Sequence, residues 1–404
     1  VSIGEEPIRD DVPWIDLLAR RMTVAGSDAI ERIMALSTAG DVITFSGGFP
    51  DPATFPAQPL PQLLAELVAD ADDTAFQYAP TTGLPSMLDY LAGRLEERDG
   101  RRPADGELMV TSGSIDALGL VSKAFLDTGD AAVVEAPTYL GAIMAFRGFD
   151  ARVATVPVDD DGMVVEELGS ALRDGLRPKL VYTIPDHQNP AGVTMSEERR
   201  VELVELARRY GFLVVEDVAY RELGFDGARL PALWTLGPDV VMQAGTFSKT
   251  FCPGVRLGWA AAPRPVTRAL VIGKQNSDQC AAALGQRLVE KYGRSGLLDE
   301  GIARSRQLYG HRCTLLLDAL ERHMPEGARW TRPGGGFFSW LTLPPGFDTV
   351  EVAAAALEQK VAYVPGVPFF PDGRGTDTAR LSFSRVSDDD IDEGIRLLAG
   401  LLHR

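Results

Sequence analysis

Seven short apolar runs between residues 108 and 262, separated by helical patterns, constrain this chain more than any other feature. They are Leu108–Ser112, Ala131–Ala136, Arg152–Pro157, Leu180–Pro185, Phe212–Val218, Val240–Ala244 and Arg256–Ala262. Runs of this length and composition read as strands buried on both faces. The intervening helical patterns supply the crossovers that parallel strands need. The Ser196-Glu197-Glu198 start and Gly211 end frame one such helix, with acids at the positive end of its dipole. The alternation predicts an α/β domain with a mostly parallel seven-stranded sheet flanked by helices. Ligands in such sheets sit beyond the strand C-termini, so the turns after these runs are where chemistry is sought.

The flanks read differently. Residues 1–12 are acidic and aperiodic, a loose arm, and Ile30–Leu36 reads as a short amphipathic helix with Ser27 or Asp28 as its N-cap. Helices are expected over 60–72 and 83–98. After residue 285 a long helical stretch, Gly285 to Met324 with an interruption near Gly293–Gly296, leads into a smaller α+β lobe that ends in a helix over Asp388–Leu402. The expected division is 1–45 as arm and active-site cover, 46–295 as the large domain and 296–404 as the small domain.

Composition narrows the partners. A net charge of -17 argues against nucleic acid and against an anionic membrane surface. Lysine stands at only six positions (Lys123, Lys179, Lys249, Lys274, Lys291 and Lys360), so few amines are available for covalent chemistry. Cys252, Cys280 and Cys313 are odd in number and far apart, and the four histidines form no cluster. No metal site or disulfide framework is read, and a reducing compartment is expected. The start of the chain lacks a basic-then-apolar signal and no run reaches membrane-spanning length, so the expected location is the cytoplasm.

Lys249 lies in Gly245-Thr246-Phe247-Ser248-Lys249, just past the Val240 run. A desolvated lysine has a lowered pKa and attacks carbonyls. Thr246, Ser248 and Arg256 around it are phosphate-binding residue types, and an amine beside a phosphate cradle points to pyridoxal phosphate (PLP). The other turns complement this one. Thr111-Ser112-Gly113-Ser114 opens a helix, whose free amides and dipole favour a phosphate. Tyr139, after the next run, can stack on a flat ring. Asn189 is followed by Pro190 and Gly192, which fix its backbone, so its amide can donate to a fixed anionic oxygen. Asp217, at a buried strand end, needs a cationic partner such as a protonated pyridine nitrogen. Tyr220, three residues on, can reach a ring oxygen.

In their order and spacing these motifs, with Ser46-Gly47-Gly48-Phe49-Pro50, Gln77-Tyr78 and Arg380-x-Ser382-Phe383-Ser384, resemble the fold-type I PLP-dependent aminotransferases. Within these, the sequence is most similar to the 2-aminoadipate aminotransferase / kynurenine aminotransferase II group. The resemblance runs from about Ile30 to the C-terminus. It implies that PLP is carried covalently on Lys249, that Asp217 faces the pyridine nitrogen, and that Asn189 and Tyr220 donate to the ring oxygen. It further implies that Tyr139 stacks on the ring, that Gly113, Ser114, Thr246 and Arg256 hold the phosphate, and that Arg380 grips the substrate carboxylate beside the Gly47–Gly48 backbone. Tyr78 resembles a tyrosine that reaches the other subunit's phosphate, which implies a homodimer with shared active sites.

The sequence departs from the family pattern in places. Ile115 stands where relatives carry a polar residue after the phosphate serine, and His187 and Cys252 are unusual fillers. Relatives that take acidic side chains place an arginine in the N-terminal helix, where this chain has Glu31, with Asp28 a turn earlier and Arg32 adjacent. Glu31 is therefore expected to read a polar or cationic substrate side chain. The expected reaction is ping-pong transamination between an L-amino acid and a 2-oxo acid, with pyridoxamine phosphate as intermediate. The alternatives are a lyase, decarboxylase or oxidase on the same cofactor. A transcriptional regulator with an aminotransferase-like sensor would need a DNA-binding module ahead of residue 30, which an acidic stretch of that length does not offer.

Overall fold

The computed structural model describes residues 14–19, 21–22, 31, 33–36, 40–69 and 73–402. Ser27, Asp28 and Arg32, with the expected arm over 1–12, fall outside the described residues. In chain order the strands are β1 (Ile43–Thr44), β2 (Leu108–Thr111), β3 (Ala131–Ala136), β4 (Arg152–Asp159), β5 (Gly162–Met163), β6 (Pro178–Thr183) and β7 (Leu213–Asp217). They continue with β8 (Val241–Thr246), β9 (Gly258–Ala261), β10 (Arg329–Trp330), β11 (Phe338–Thr342), β12 (Val361–Ala362), β13 (Val364–Pro365) and β14 (Thr378–Ser382).

All seven runs are strands of one sheet, in the order β2-β9-β8-β7-β6-β3-β4-β5, and the two-residue β5 widens it to eight. Its centre, β8-β7-β6-β3-β4, is parallel; β9 runs antiparallel to both neighbours. Every residue of β3, β7 and β8 is buried, as the continuous apolar runs require of a sheet covered on both faces. The last run starts later than expected, at Gly258, because Arg256 takes the left-handed region (φ 49°) and belongs to the turn before the strand. The Glu197–Tyr210 helix has the expected ends: Ser196 accepts from the Arg199 amide and Gly211 closes it at φ 74°. The long helical stretch divides into Ala283–Arg294 and Leu297–His323, broken where Gly296 adopts φ 84°.

The later strands form a four-stranded antiparallel sheet, β10-β11-β14-β13. Two connections tie it to the large sheet. The segment after β1 is one: Phe45 donates its amide to Ala362 O and accepts from the Ser382 amide, which lays Ser46–Gly48 alongside β14. The other joins the turn after β6 to the approach to β11. A Cβ on Gly192 (φ 72°) would lie 2.3 Å from Phe338 O, and one on Gly335 would lie 2.5 Å from the His187 ring. Thr331 Oγ1 donates to Ala191 O at 2.7 Å across the same seam. His187, which the sequence left without a role, is a packing wedge there.

Candidate active site

Strand direction puts the turns after β2, β3, β6, β7 and β8 at one edge of the sheet, and the Ser46–Gly48 segment and β14 close over them. Between them lies a cavity of about 330 Å³. Ser114, Ile115, Tyr139, Asn189, Asp217, Tyr220, Thr246, Lys249, Arg256, Arg380 and Gly48 all line it. Gly113 sits immediately behind Arg256: a Cβ on it would come within 3.0 Å of Arg256 Nη2. Gly47 lies behind Gly48, its carbonyl accepting from Ser384 Oγ.

Lys249 reaches across the cavity, and its Nζ donates to Gly48 O at 2.8 Å. Burial is the main reason its amine falls to about 8; the Arg380 and Arg256 charges add to this and Asp217 opposes it. Asp217 is raised to about 6 by burial, although Tyr182 OH donates to its Oδ2 at 3.0 Å and the Ala219 amide to its Oδ1 at 3.1 Å. Among the described residues it has no ion-pair partner, so the cavity lining holds a buried acid that can accept from a protonated group.

The turn carrying Asn189 is held rigidly from behind. Arg200 Nη2 donates to Asp186 Oδ1 at 2.7 Å and Arg221 Nη1 to Asp186 Oδ2 at 3.0 Å, and these charges bring the buried Asp186 down to about 2 against the cost of its burial. Gln188 donates to Glu135 and to Pro137 O and accepts from the Ala191 amide. Asn189 Oδ1 accepts from Arg380 Nη1 at 3.1 Å, and its side chain also hydrogen-bonds Tyr220, so the amide stands between these two groups at the cavity edge.

Arg380 is 5% exposed and forms no ion pair among the described residues. Its Nη2 donates to Ser46 O at 2.6 Å, while its Nε is buried without a partner. The guanidinium lies between the rings of Phe338 (4.4 Å) and Phe369 (4.9 Å). Burial lowers it to about 10, so it stays charged at neutral pH. A buried guanidinium with no acid beside it has the geometry to receive a carboxylate.

At the other end Thr246 Oγ1 donates to Ser248 Oγ at 2.9 Å, and Arg256 Nη1 reaches Ser248 Oγ at 3.5 Å. Arg256 Nη2 donates to Ser112 O, beside Gly113 (φ 96°), the N-cap of the Ser114–Phe125 helix. The Ser114 and Ile115 amides precede the first bond of that helix, in which Asp116 N donates to Gly113 O, and the dipole is positive there. Buried Lys274 pairs with both Asp116 and Asp278, each 2.8 Å away, and so offsets part of the negative charge that would oppose an anion at this turn. Between the two ends Tyr139 lines one wall; its ring occupies the space a Cβ on Gly141 would need, 2.4 Å from Cε1, so only glycine fits there.

Two candidates do not join the cavity. Tyr78 is 80% exposed. Glu31 is exposed too, and Ile33 and Met34 of the same segment line the cavity instead. The residues that sequence reasoning missed are Phe338 and Phe369, which flank Arg380, and Tyr182, which holds Asp217. The aromatic pair Phe337-Phe338 after three glycines was a visible signal for the first.

An amine, a phosphate-sized anion cradle, an acid and a stacking tyrosine around one cavity match the parts of PLP: aldehyde, phosphate, pyridine nitrogen and ring. The model of the family "Aminotransferase class I and II" matches residues 41–398. The chain belongs to this family. It is 40% identical over 375 residues to the aromatic-amino-acid aminotransferase 1 of Thermococcus litoralis, covering 92% of this chain and 90% of that one. The structure of Pyrococcus horikoshii kynurenine aminotransferase in complex with PMP, KYN and KYA superposes with a TM-score of 0.92 at 39% identity, covering 96% of this chain and 98% of the other. That of the alpha-aminoadipate aminotransferase of Thermus thermophilus, complexed with N-(5'-phosphopyridoxyl)-L-leucine, gives 0.89 at 36% identity, with 97% and 98% covered. This aminotransferase thus has the fold-type I architecture, its cofactor is PLP and its reaction is amino-group transfer. No helix among its described residues is long and apolar enough to cross a membrane.

Proposed function

We propose that this aminotransferase takes amino acids with aromatic or large apolar side chains as donors. The observation that carries this is the apolar part of the cavity lining, to which Ile33, Met34, Phe49, Leu140 and Phe369 belong. Among the described residues the only arginines lining the cavity are Arg380 and Arg256, so once the α-carboxylate and the phosphate are bound no arginine remains for a second carboxylate in that part of the lining. With Glu31 turned to solvent, none of the described acids lies there for a basic side chain, which revises the polar or cationic preference expected from the sequence.

In this reading the polar residues divide the tasks among them. Arg380, held flat by its two rings, binds the α-carboxylate, and Asn189 sets its angle. Ser114, Thr246, Ser248, Arg256 and the helix start bind the cofactor phosphate. Asn189 and Tyr220 donate to the ring oxygen, Tyr139 stacks on the ring, and Asp217 holds the proton on the pyridine nitrogen. When bound, PLP supplies a carbonyl for the substrate amine and a ring that takes up the electron pair left at Cα. Lys249 carries the cofactor, and its amine then takes the Cα proton and returns it on the cofactor side.

A panel of L-amino acids added to the holoenzyme without acceptor tests this reading. Phenylalanine, tyrosine, tryptophan or leucine should bleach the yellow band with stoichiometric oxo acid, at a kcat/KM at least about ten-fold above lysine or arginine, as burying a few methylene groups dictates. A best donor that is basic, or turnover of acidic donors alone, refutes the apolar preference. We further propose a homodimer. Tyr78 stands exposed with Phe76, and Leu64, Val68 and Leu284 are exposed on neighbouring elements. Light scattering should give twice the mass of the chain; a monomer with full activity refutes it.

A further inference from the structure

The face of the sheet beneath the cavity carries one buried hydroxyl that the reaction as described does not use. Tyr182 on β6 pairs in register with Val215 on β7, and Asp217 lies two residues beyond Val215. Side chains two apart on a strand share a face, so Tyr182 and Asp217 are diagonal neighbours across the two strands. The phenol is fully buried, its ring edge-on to Phe146 with centroids 6.1 Å apart, and its OH donates to Asp217 Oδ2 at 3.0 Å. The Ala219 amide holds the other oxygen, so both donors to this carboxylate are neutral.

We propose that Tyr182 is a positioning residue for the reaction: its hydroxyl keeps Asp217 ionised and fixed in orientation, so that the acid can hold a proton on the ring nitrogen of the cofactor. The proposal rests on the reading that Asp217 faces that nitrogen. A carboxylate with no cation beside it depends on its hydrogen-bond donors to stay charged in a buried place. Burial already raises Asp217, and the Tyr182 bond is the largest influence pulling it back down. Tyr182 cannot give up its own proton, since burial and the neighbouring acid push its pKa well above the ordinary tyrosine value. It therefore acts as a fixed donor. Without its hydroxyl Asp217 drifts toward the neutral acid, which no longer favours a protonated ring nitrogen, and the ring becomes a poorer acceptor of the Cα electron pair.

Tyr182→Phe removes only the hydroxyl and keeps the ring against Phe146, so the thermal midpoint checks that the fold is retained. Holoenzymes of the native protein, Tyr182→Phe and Asp217→Asn are prepared with PLP labelled with ¹⁵N in the ring, and the nitrogen shift is read at neutral pH. The expected result is a protonated nitrogen in the native enzyme, an unprotonated one in Asp217→Asn, and a Tyr182→Phe signal moved toward the latter. Its kcat should fall about ten-fold or more, the size of a hydrogen bond to a charged group, with donor KM changed less than about two-fold because Tyr182 does not touch substrate. A native nitrogen shift and native kcat in Tyr182→Phe, with Asp217→Asn unprotonated, overturn the role of Tyr182 and leave that of Asp217 standing. A nitrogen still protonated in Asp217→Asn overturns the underlying reading as well.

Discussion

Lys249→Ala abolishes turnover, lowering kcat by at least about 10⁴-fold, because one amine performs two tasks: attachment of the cofactor and proton transfer at the substrate Cα. The variant should still bind PLP, since Ser114, Thr246, Ser248 and Arg256, proposed above to hold the phosphate, are untouched. Borohydride treatment followed by mass spectrometry separates the two cases. The native chain gains the mass of the reduced cofactor on the peptide containing Lys249, and the variant gains none. A label on any other lysine refutes the assignment.

The same amine predicts a pH dependence. Its value near 8 leaves about one-tenth of it neutral at pH 7, against a far smaller fraction for a free lysine near 10.4. The neutral form is the nucleophile. Capture of PLP by the apoprotein should therefore accelerate as pH rises through about 8 and level off above. A rate that is still climbing at pH 10, as an ordinary lysine near 10.4 would give, contradicts the buried environment described for Lys249.

Arg380→Ala is expected to lower kcat/KM for amino acid donors by two to three orders of magnitude, about 3–4 kcal/mol, the usual cost of removing a buried charge-assisted pair. The native arginine is already in position, with Nη1 on Asn189, Nη2 on Ser46 O and its plane set by Phe338 and Phe369. Little freedom is left to lose when a carboxylate arrives. Arg380→Lys should recover only a fraction, because a single ammonium cannot keep both anchors and present a fork. A comparison of phenylalanine with phenethylamine, which lacks the carboxylate, removes general damage from the reading. The native enzyme should prefer the amino acid strongly and Arg380→Ala should not. If the preference survives, the carboxylate is held elsewhere.

The large sheet was legible because most of its central strands, such as β3, β7 and β8, are buried on both faces and so are written as unbroken apolar runs. The turn residues were legible because each follows such a run directly: Asp217 ends β7, and Lys249 stands three residues past β8. What was not legible depends on pairs far apart in sequence. The Phe338 and Phe369 rings around Arg380, the Gly48 carbonyl under Lys249 and the hydroxyl of Tyr182 on Asp217 are set by strand register and by the closing of β14 over the large sheet. Apart from the Phe337-Phe338 pair after three glycines, no local pattern marks them. Glu31 shows the same limit on a helix, where an error of one or two residues in phase turns a pocket residue into a solvent-facing one.

The seam between Gly192 and Phe338 bears on how such enzymes can diversify. A side chain at Gly192 would collide with the Phe338 carbonyl, and one at Gly335 with the His187 ring, so the stretches 187–192 and 331–338 tolerate exchange only together. They lie some 140 positions apart, as the Thr331–Ala191 bond between them measures, yet shuffling genes between relatives would have to treat them as one cassette. One stretch carries Asn189 and the other Phe338, both on Arg380, so grip on the amino acid is inherited as a linked trait, while Ile33 and Met34 outside the cassette leave side-chain preference free to change.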